Sequence, residues 1–174
     1  NHTSDQHPWF VAGRTSKDNP YRDYYIWRDG KDGREPNNWG GHFTQSAWSF
    51  DAATGQYYLH IFSPQQPDLN WENPVVRREV QQIIEWWLDK GIDGFRLDAI
   101  NLIAKAPGLP DNRGEERYVF AIEHFCNQPR FHDYMQELHR TTFAHHDLLT
   151  AGECADLKVA DAIAVSAPAR GELN

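Results

Sequence analysis

Cysteine is scarce in this chain: Cys126 and Cys154 are the only two in 174 residues. They form no C-x-x-C pair and no series of spaced pairs, which excludes a disulfide scaffold and a thiolate zinc site. Positive charge is also short. Seventeen Lys and Arg stand against twenty-five Asp and Glu, a net charge of −8, so the basic face that nucleic acid or an anionic membrane would favour is not expected. No apolar run approaches the ~18 residues of a membrane span, and no internal repeat or low-complexity tract is present. Neither a metal nor a cofactor is expected. His145-His146-Asp147 are adjacent rather than spaced along one helical face, and residues 29–33 lack the alternating oxygen ligands of a calcium loop. Both stretches read as turns.

What remains is the composition of a globular protein, 40% hydrophobic and 24% charged with twelve Gly and ten Pro. An acidic protein suffers no steering penalty with a neutral ligand such as a sugar. Residues 3–72 are dense in aromatics, Gly, Asn and Asp. Turn chemistry at residues 29–33 and at Thr54-Gly55 separates short candidate strands such as 57–62. Trp27, Trp39, Trp48 and Trp71 are expected in the core of this stretch rather than on a ligand, because aromatics dominate core burial.

The pattern changes at Asn73-Pro74, a good N-cap followed by the residue best suited to a first helical position. Val76, Val80, Ile83, Ile84, Trp87 and Leu88 then recur at helical spacing, and Gly91 can close the helix in a left-handed conformation. A strand is expected over 91–98, with Phe95 and Leu97 on one face and Arg96 and Asp98 on the other. A second helix is expected over 130–143, burying Phe131, Tyr134, Met135 and Leu138, and a second strand over 148–153. Helix, strand, helix, strand implies a parallel sheet covered by helices. Catalytic groups in such folds sit at the C-terminal strand ends, where Asp98 and Glu153 fall.

Arg96 two residues before Asp98 can hold that carboxylate ionised and oriented. This suits a nucleophile, and equally an ion pair that only ties strands together. Glu153 makes the constellation more specific. Two carboxyl groups about 5–5.5 Å apart are the signature of retaining glycoside hydrolysis, with the second kept protonated by a dry pocket and its charged neighbour.

Several longer motifs, in order, resemble the oligo-1,6-glucosidase and α-glucosidase branch of the α-amylase family, glycoside hydrolase family thirteen. They are Asn1-His2-Thr3-Ser4-Asp5, His7-Pro8-Trp9-Phe10, residues 21–30, Pro36-Asn37-Asn38-Trp39, Gln66-Pro67-Asp68-Leu69-Asn70-Trp71, Gly94-Phe95-Arg96-Leu97-Asp98 and Gly152-Glu153. The resemblance implies an α/β fold, a partial (β/α)8 barrel of about strands four and five with their helices. A loop-rich domain would be inserted after strand three. Residues 1–2 would end strand three, 3–72 would form the inserted domain, and 73–174 the partial catalytic barrel. It also implies Asp98 as nucleophile, Glu153 as general acid/base and Arg96 as partner of Asp98. His2, Phe43, Phe62 and Gln66 would line the pocket for the non-reducing glucose.

The expected activity is retaining hydrolysis of α-glucosidic bonds in short oligosaccharides. Trehalose-6-phosphate hydrolysis, sucrose isomerisation or transglucosylation are the nearest alternatives, and a catalytically inactive relative such as a transporter subunit is the non-enzyme alternative. Cys154 stands where the family often has Met, Ala99 where α-1,6-specific members tend to have Val, and Pro67 where the phosphate-reading branch tends to carry Ala. The expected compartment is the cytoplasm. The remaining barrel strands of the parent enzyme are expected outside this chain, which alone is expected to be inactive and poorly stable.

Overall fold

The structure, a computed structural model, describes residues 1–173. In chain order its helices are α1 (Pro8–Gly13), α2 (Pro74–Leu88), α3 (Ile122–Phe125), α4 (Arg130–Thr141) and α5 (Val159–Ser166). The strands are β1 (Trp27–Arg28), β2 (Trp39–Gly40), β3 (Trp48–Asp51), β4 (Gln56–Leu59), β5 (Gly94–Leu97), β6 (Val119–Phe120) and β7 (Leu149–Gly152). The chain divides into two compact units, residues 1–73 with 106–124, and residues 74–105 with 125–174.

The first unit is built on aromatics. An antiparallel sheet of order β1-β4-β3 backs a core in which the Phe10 ring stacks on Trp27 at 5.5 Å and meets Tyr25 and Tyr58 edge-on at 5.0 Å. The Arg22 guanidinium also lies over Trp27, 3.4 Å from its ring centroid. Trp27, Trp39, Trp48 and Trp71 are all buried, as their composition-based reading requires. Asp32 and Gly33 adopt positive φ (53° and 73°), and Lys31 and Arg34 exchange backbone hydrogen bonds of 3.1 and 3.0 Å around them. That is the tight turn which Asp-Gly favours.

One sequence expectation changes here. The strand expected over 57–62 stops at Leu59, because fully buried Asp68 takes over the ladder. Its amide donates to the Leu59 carbonyl (3.0 Å) and its carboxylate accepts from the Ile61 amide (3.3 Å). Residues 106–124 pack with the first unit. The Asn38 side chain donates to the Asn112 carbonyl at 2.9 Å and accepts from the Asn112 amide at 2.7 Å, and the Trp39 indole donates to the Pro110 carbonyl at 2.7 Å. These bonds align β6 parallel to β2, with Gly40 opposite Phe120.

The second unit holds the helix–strand alternation. Pro74 opens α2 as expected, and Gly91 closes it at φ 85°, its amide donating to the Leu88 carbonyl (2.8 Å). Val76 and Ile84 are buried, but Ile83, Trp86 and Trp87 stay about half exposed (49, 53 and 46%). Only part of the expected apolar face is covered within this unit. It packs on α4 beside an Arg77–Glu137 bond of 2.8 Å. The four predicted core residues of α4 are all buried. The helix ends at Thr141, and a 3-10 turn (Phe143–His145) precedes β7.

Strands β5 and β7 pair in parallel, Gly94 opposite Leu149 and Leu97 opposite Gly152. Only glycine fits at 94, where a Cβ would lie 2.1 Å from the Leu149 carbonyl oxygen. Both strands are shorter than the expected 91–98 and 148–153, so Asp98 and Glu153 stand one residue past their C-terminal ends.

Candidate active site

The register that pairs Leu97 with Gly152 also sets the next residues side by side. The Glu153 amide donates to the Leu97 carbonyl at 2.9 Å, and the Ile100 amide donates back to the Glu153 carbonyl at 3.0 Å. The ladder thus continues past the strands and fixes the backbones of both carboxylates. Arg96, on the same strand face as Asp98, then donates one guanidinium nitrogen to Asp98 Oδ1 and the other to Glu153 Oε2. Three of the residues singled out from the sequence converge, and a single cation links them.

Buried Asn101 locks the turns that follow. Its Nδ2 donates to the Ala155 carbonyl and to Asn127 Oδ1, each at 2.7 Å, and its Oδ1 accepts from the Ala155 amide at 3.1 Å. It therefore ties the segment after Asp98 to the segment after Glu153. Sequence reasoning missed this residue, because a mid-chain Asn gives no sign that its amide is spent on backbone 54 residues away. Ala99 adopts φ 46° to begin the turn. Cys126 donates to the same Ala155 carbonyl at 3.3 Å. Burial pushes its thiol up to about 11 and raises that of Cys154 as well, so both remain protonated at neutral pH.

The dry surroundings expected for Glu153 are not met. The side chains of Arg96, Asp98 and Glu153 are 58, 63 and 56% exposed. Water therefore screens the trio.

The first unit assembles the other four candidates. The Gln66 amide donates to His2 Nε2 at 2.8 Å. The His2 ring meets Phe62 edge-on at 5.4 Å, and Phe62 lies 5.8 Å from Phe43. Phe43 is the outermost, 74% exposed. A fourth ring belongs to this group and was not anticipated. His42 stacks flat on Phe62 at 4.7 Å and takes the edge of Phe120 at 5.0 Å. Burial lowers the His42 pKa, so the ring is neutral at neutral pH and packs as an aromatic surface. Among the described residues no group of His, Cys, Asp and Glu has the arrangement of a metal site.

Carboxylates at the ends of paired parallel strands, bridged by arginine, are a layout suited to glycosidic bond chemistry. The sequence profile of the alpha amylase catalytic domain matches residues 1–174, and the chain belongs to that family. It is 53% identical over 176 residues to the oligo-1,6-glucosidase of Parageobacillus thermoglucosidasius, a match that covers 100% of this chain and 31% of that protein. The solved trehalose-6-phosphate hydrolase of Bacillus licheniformis superposes with a TM-score of 0.95 at 43% identity, again over 100% of this chain and 31% of the other. A mutant of the trehalulose synthase MutB reaches 0.94 at 49% identity with the same coverage. The chain thus spans about a third of the length of these relatives (31%).

Proposed function

We propose that this chain is the catalytic segment of a retaining α-glucosidase that cleaves α-glucosidic bonds at the non-reducing end of short oligosaccharides. The observation that carries the reading is the Arg96 guanidinium reaching both Asp98 and Glu153. Carboxyl groups close enough to share one guanidinium are close enough to flank one anomeric carbon, in keeping with the roughly 5–5.5 Å of retaining enzymes. Glu153 protonates the glycosidic oxygen as Asp98 attacks the anomeric carbon, and the bond to the leaving sugar breaks. Glu153 then takes a proton from water, which attacks the same carbon and frees Asp98. Arg96 keeps Asp98 charged and aimed. His2 and Gln66 would bond the glucose hydroxyls, while Phe43 and Phe62 offer apolar faces to its C–H surface.

In this reading β5 and β7 are neighbouring strands four and five of a (β/α)8 barrel, and residues 1–2 end strand three. Residues 3–72 form the inserted loop domain, with 106–124 packed onto it, and the rest of 73–174 belongs to the barrel. The remaining strands of the parent enzyme complete the site. Its partner is a neutral sugar, with no role for nucleic acid, membrane or metal. Keeping Arg96, Asp98 and Glu153 together favours an enzyme over an inactive relative such as a transporter subunit.

The first test is stereochemical. Proton NMR of the full-length enzyme acting on p-nitrophenyl α-D-glucopyranoside should show α-glucose as the initial product; β-glucose would overturn retention. A second reading is favoured by the similar match to trehalose-6-phosphate hydrolase and trehalulose synthase. Rates on isomaltose, maltose, sucrose and trehalose 6-phosphate separate the three.

A further inference from the structure

The side chain of Asn101 does more than fill space behind the strand ends. It is fully buried, and its amide meets both backbone groups of Ala155. Nδ2 donates to the Ala155 carbonyl at 2.7 Å, and Oδ1 accepts from the Ala155 amide at 3.1 Å. A side-chain amide that engages both groups of one residue stands in for the backbone of a neighbouring strand. It carries the β5–β7 pairing past Glu153 to Ala155, where the chain itself has left the strand.

Side chains hold the segment after Glu153. Besides Asn101, the Cys126 thiol donates to the Ala155 carbonyl at 3.3 Å, and Asn127 Nδ2 donates to the Asp156 carbonyl at 3.0 Å. Asn127 is itself tied to Asn101, accepting from its Nδ2 at 2.7 Å and donating its amide to the Asn101 carbonyl at 3.1 Å. On the Asp98 side the backbone closes on itself. The 3-10 turn Ile100–Leu102 is fastened by the Leu102 amide on the Ala99 carbonyl at 3.1 Å and the Ile103 amide on the Ile100 carbonyl at 3.4 Å. Removing the Asn101 amide therefore loosens the Glu153 side of the site and leaves the Asp98 side fastened.

A general acid has to stay within hydrogen-bond reach of the oxygen it protonates, and a displacement of about an ångström costs on the order of a hundredfold in rate. We infer that Asn101 is a positioning residue of the reaction: by fixing Ala155 it holds Glu153 at the leaving oxygen, and it touches no substrate itself. This deepens the glucosidase reading above and rests on it.

The test compares two substrates of the full-length enzyme. Phenyl α-D-glucopyranoside releases a phenoxide that takes the proton of Glu153, whereas α-D-glucopyranosyl fluoride releases fluoride, which departs without one. For both, kcat/KM reports the step in which Asp98 displaces the leaving group. In Asn101→Ser, kcat/KM on the phenyl glucoside should fall about ten- to a hundredfold, while the value on the fluoride should stay within about threefold of wild type. A merely structural role lowers both alike, because it removes active enzyme or displaces Asp98 as well. Equal falls, or no fall on the phenyl glucoside, overturn the proposal. Should Asn101→Ser fail to fold, Asn127→Ala at a half-buried position carries the same test. It removes the anchor of Asp156 and an acceptor of Asn101, with the same selective fall expected and equal or absent falls again fatal. Glu153→Gln is the reference and should show the selectivity in full. If it slows both substrates alike, or if the wild-type enzyme acts on neither, the glucosidase reading fails and the role of Asn101 with it. If Glu153→Gln is selective and the asparagine variants are not, the role of Asn101 alone is overturned.

Discussion

Asp98 and Glu153 are 55 residues apart in sequence and adjacent in space, held by one ladder bond from the Glu153 amide to the Leu97 carbonyl (2.9 Å) and by the Arg96 guanidinium between their carboxylates. The arrangement follows from parallel pairing. Strands that start in register at Gly94 and Leu149 end in register, so the residue after each end meets its counterpart. The Arg96 guanidinium reaches both carboxylates and holds the two side chains in one geometry.

Arg96 therefore has a role that depends on shape as well as charge. Lysine at this position keeps the charge but has no planar fork to address two carboxylates at once. We expect Arg96→Lys in the full-length enzyme to lower kcat by about a hundredfold, the cost of misplacing reacting groups by roughly an ångström. The thermal midpoint should change little, because the guanidinium lies more in water than in protein. Steady-state kinetics alongside a melting curve check this, and wild-type turnover in the lysine variant would remove the bridge from the mechanism.

The sequence made this half of the site legible because alternation along a strand fixes the face and strand order fixes the end. That reasoning places Arg96, Asp98 and Glu153, whereas the roles expected of them come from the resemblance to the α-amylase family. The turn at Asp32-Gly33 and the buried tryptophans were legible for similarly local reasons. What escaped detection depends on contacts between distant segments. Strands β2 and β6 are two residues each and join positions 39–40 to 119–120, too short to carry any periodicity. The pairing that draws residues 106–124 into the first unit, and places Phe120 on His42, was therefore invisible. Strand β4 ended early because Asp68, remote from any strand pattern, captures the Ile61 amide. The exposure of Arg96, Asp98 and Glu153 is likewise a property of what surrounds them, not of the local sequence.

That exposure leads to a prediction about the isolated chain. With more than half of each side chain of Arg96, Asp98 and Glu153 in water, charges that should act in a dry site are screened. The segment alone should hydrolyse p-nitrophenyl α-glucoside at no more than the uncatalysed rate, while the full-length enzyme turns over. The half-exposed Trp86 and Trp87 and a two-stranded sheet with open edges should make it prone to association, detectable by light scattering. Full activity in a monodisperse segment would contradict the requirement for the rest of the barrel.

A last prediction concerns acid stability and rests on His60 in the first unit. The residue is buried, its Nε2 lies 2.8 Å from the Ser49 hydroxyl, and burial lowers its pKa to about 4, against a partial opposing pull from Asp68. In the unfolded chain a histidine titrates near 6.5. Between those values the unfolded state takes up a proton that the folded state refuses, so stability rises with pH across this window. The contribution is intact above about pH 6.5, declines on acidification, and is gone below about pH 4. The whole effect has a ceiling of roughly 3 kcal/mol. His60→Gln keeps hydrogen-bonding capacity without a titrating group, so it should be less stable than wild type at pH 7 and lose that deficit as the pH falls towards 4.5. Urea unfolding of both proteins at pH 7, 5.5 and 4.5 measures the difference directly. A difference that stays constant over this range would mean that His60 titrates alike in both states, and that its burial does not govern its charge.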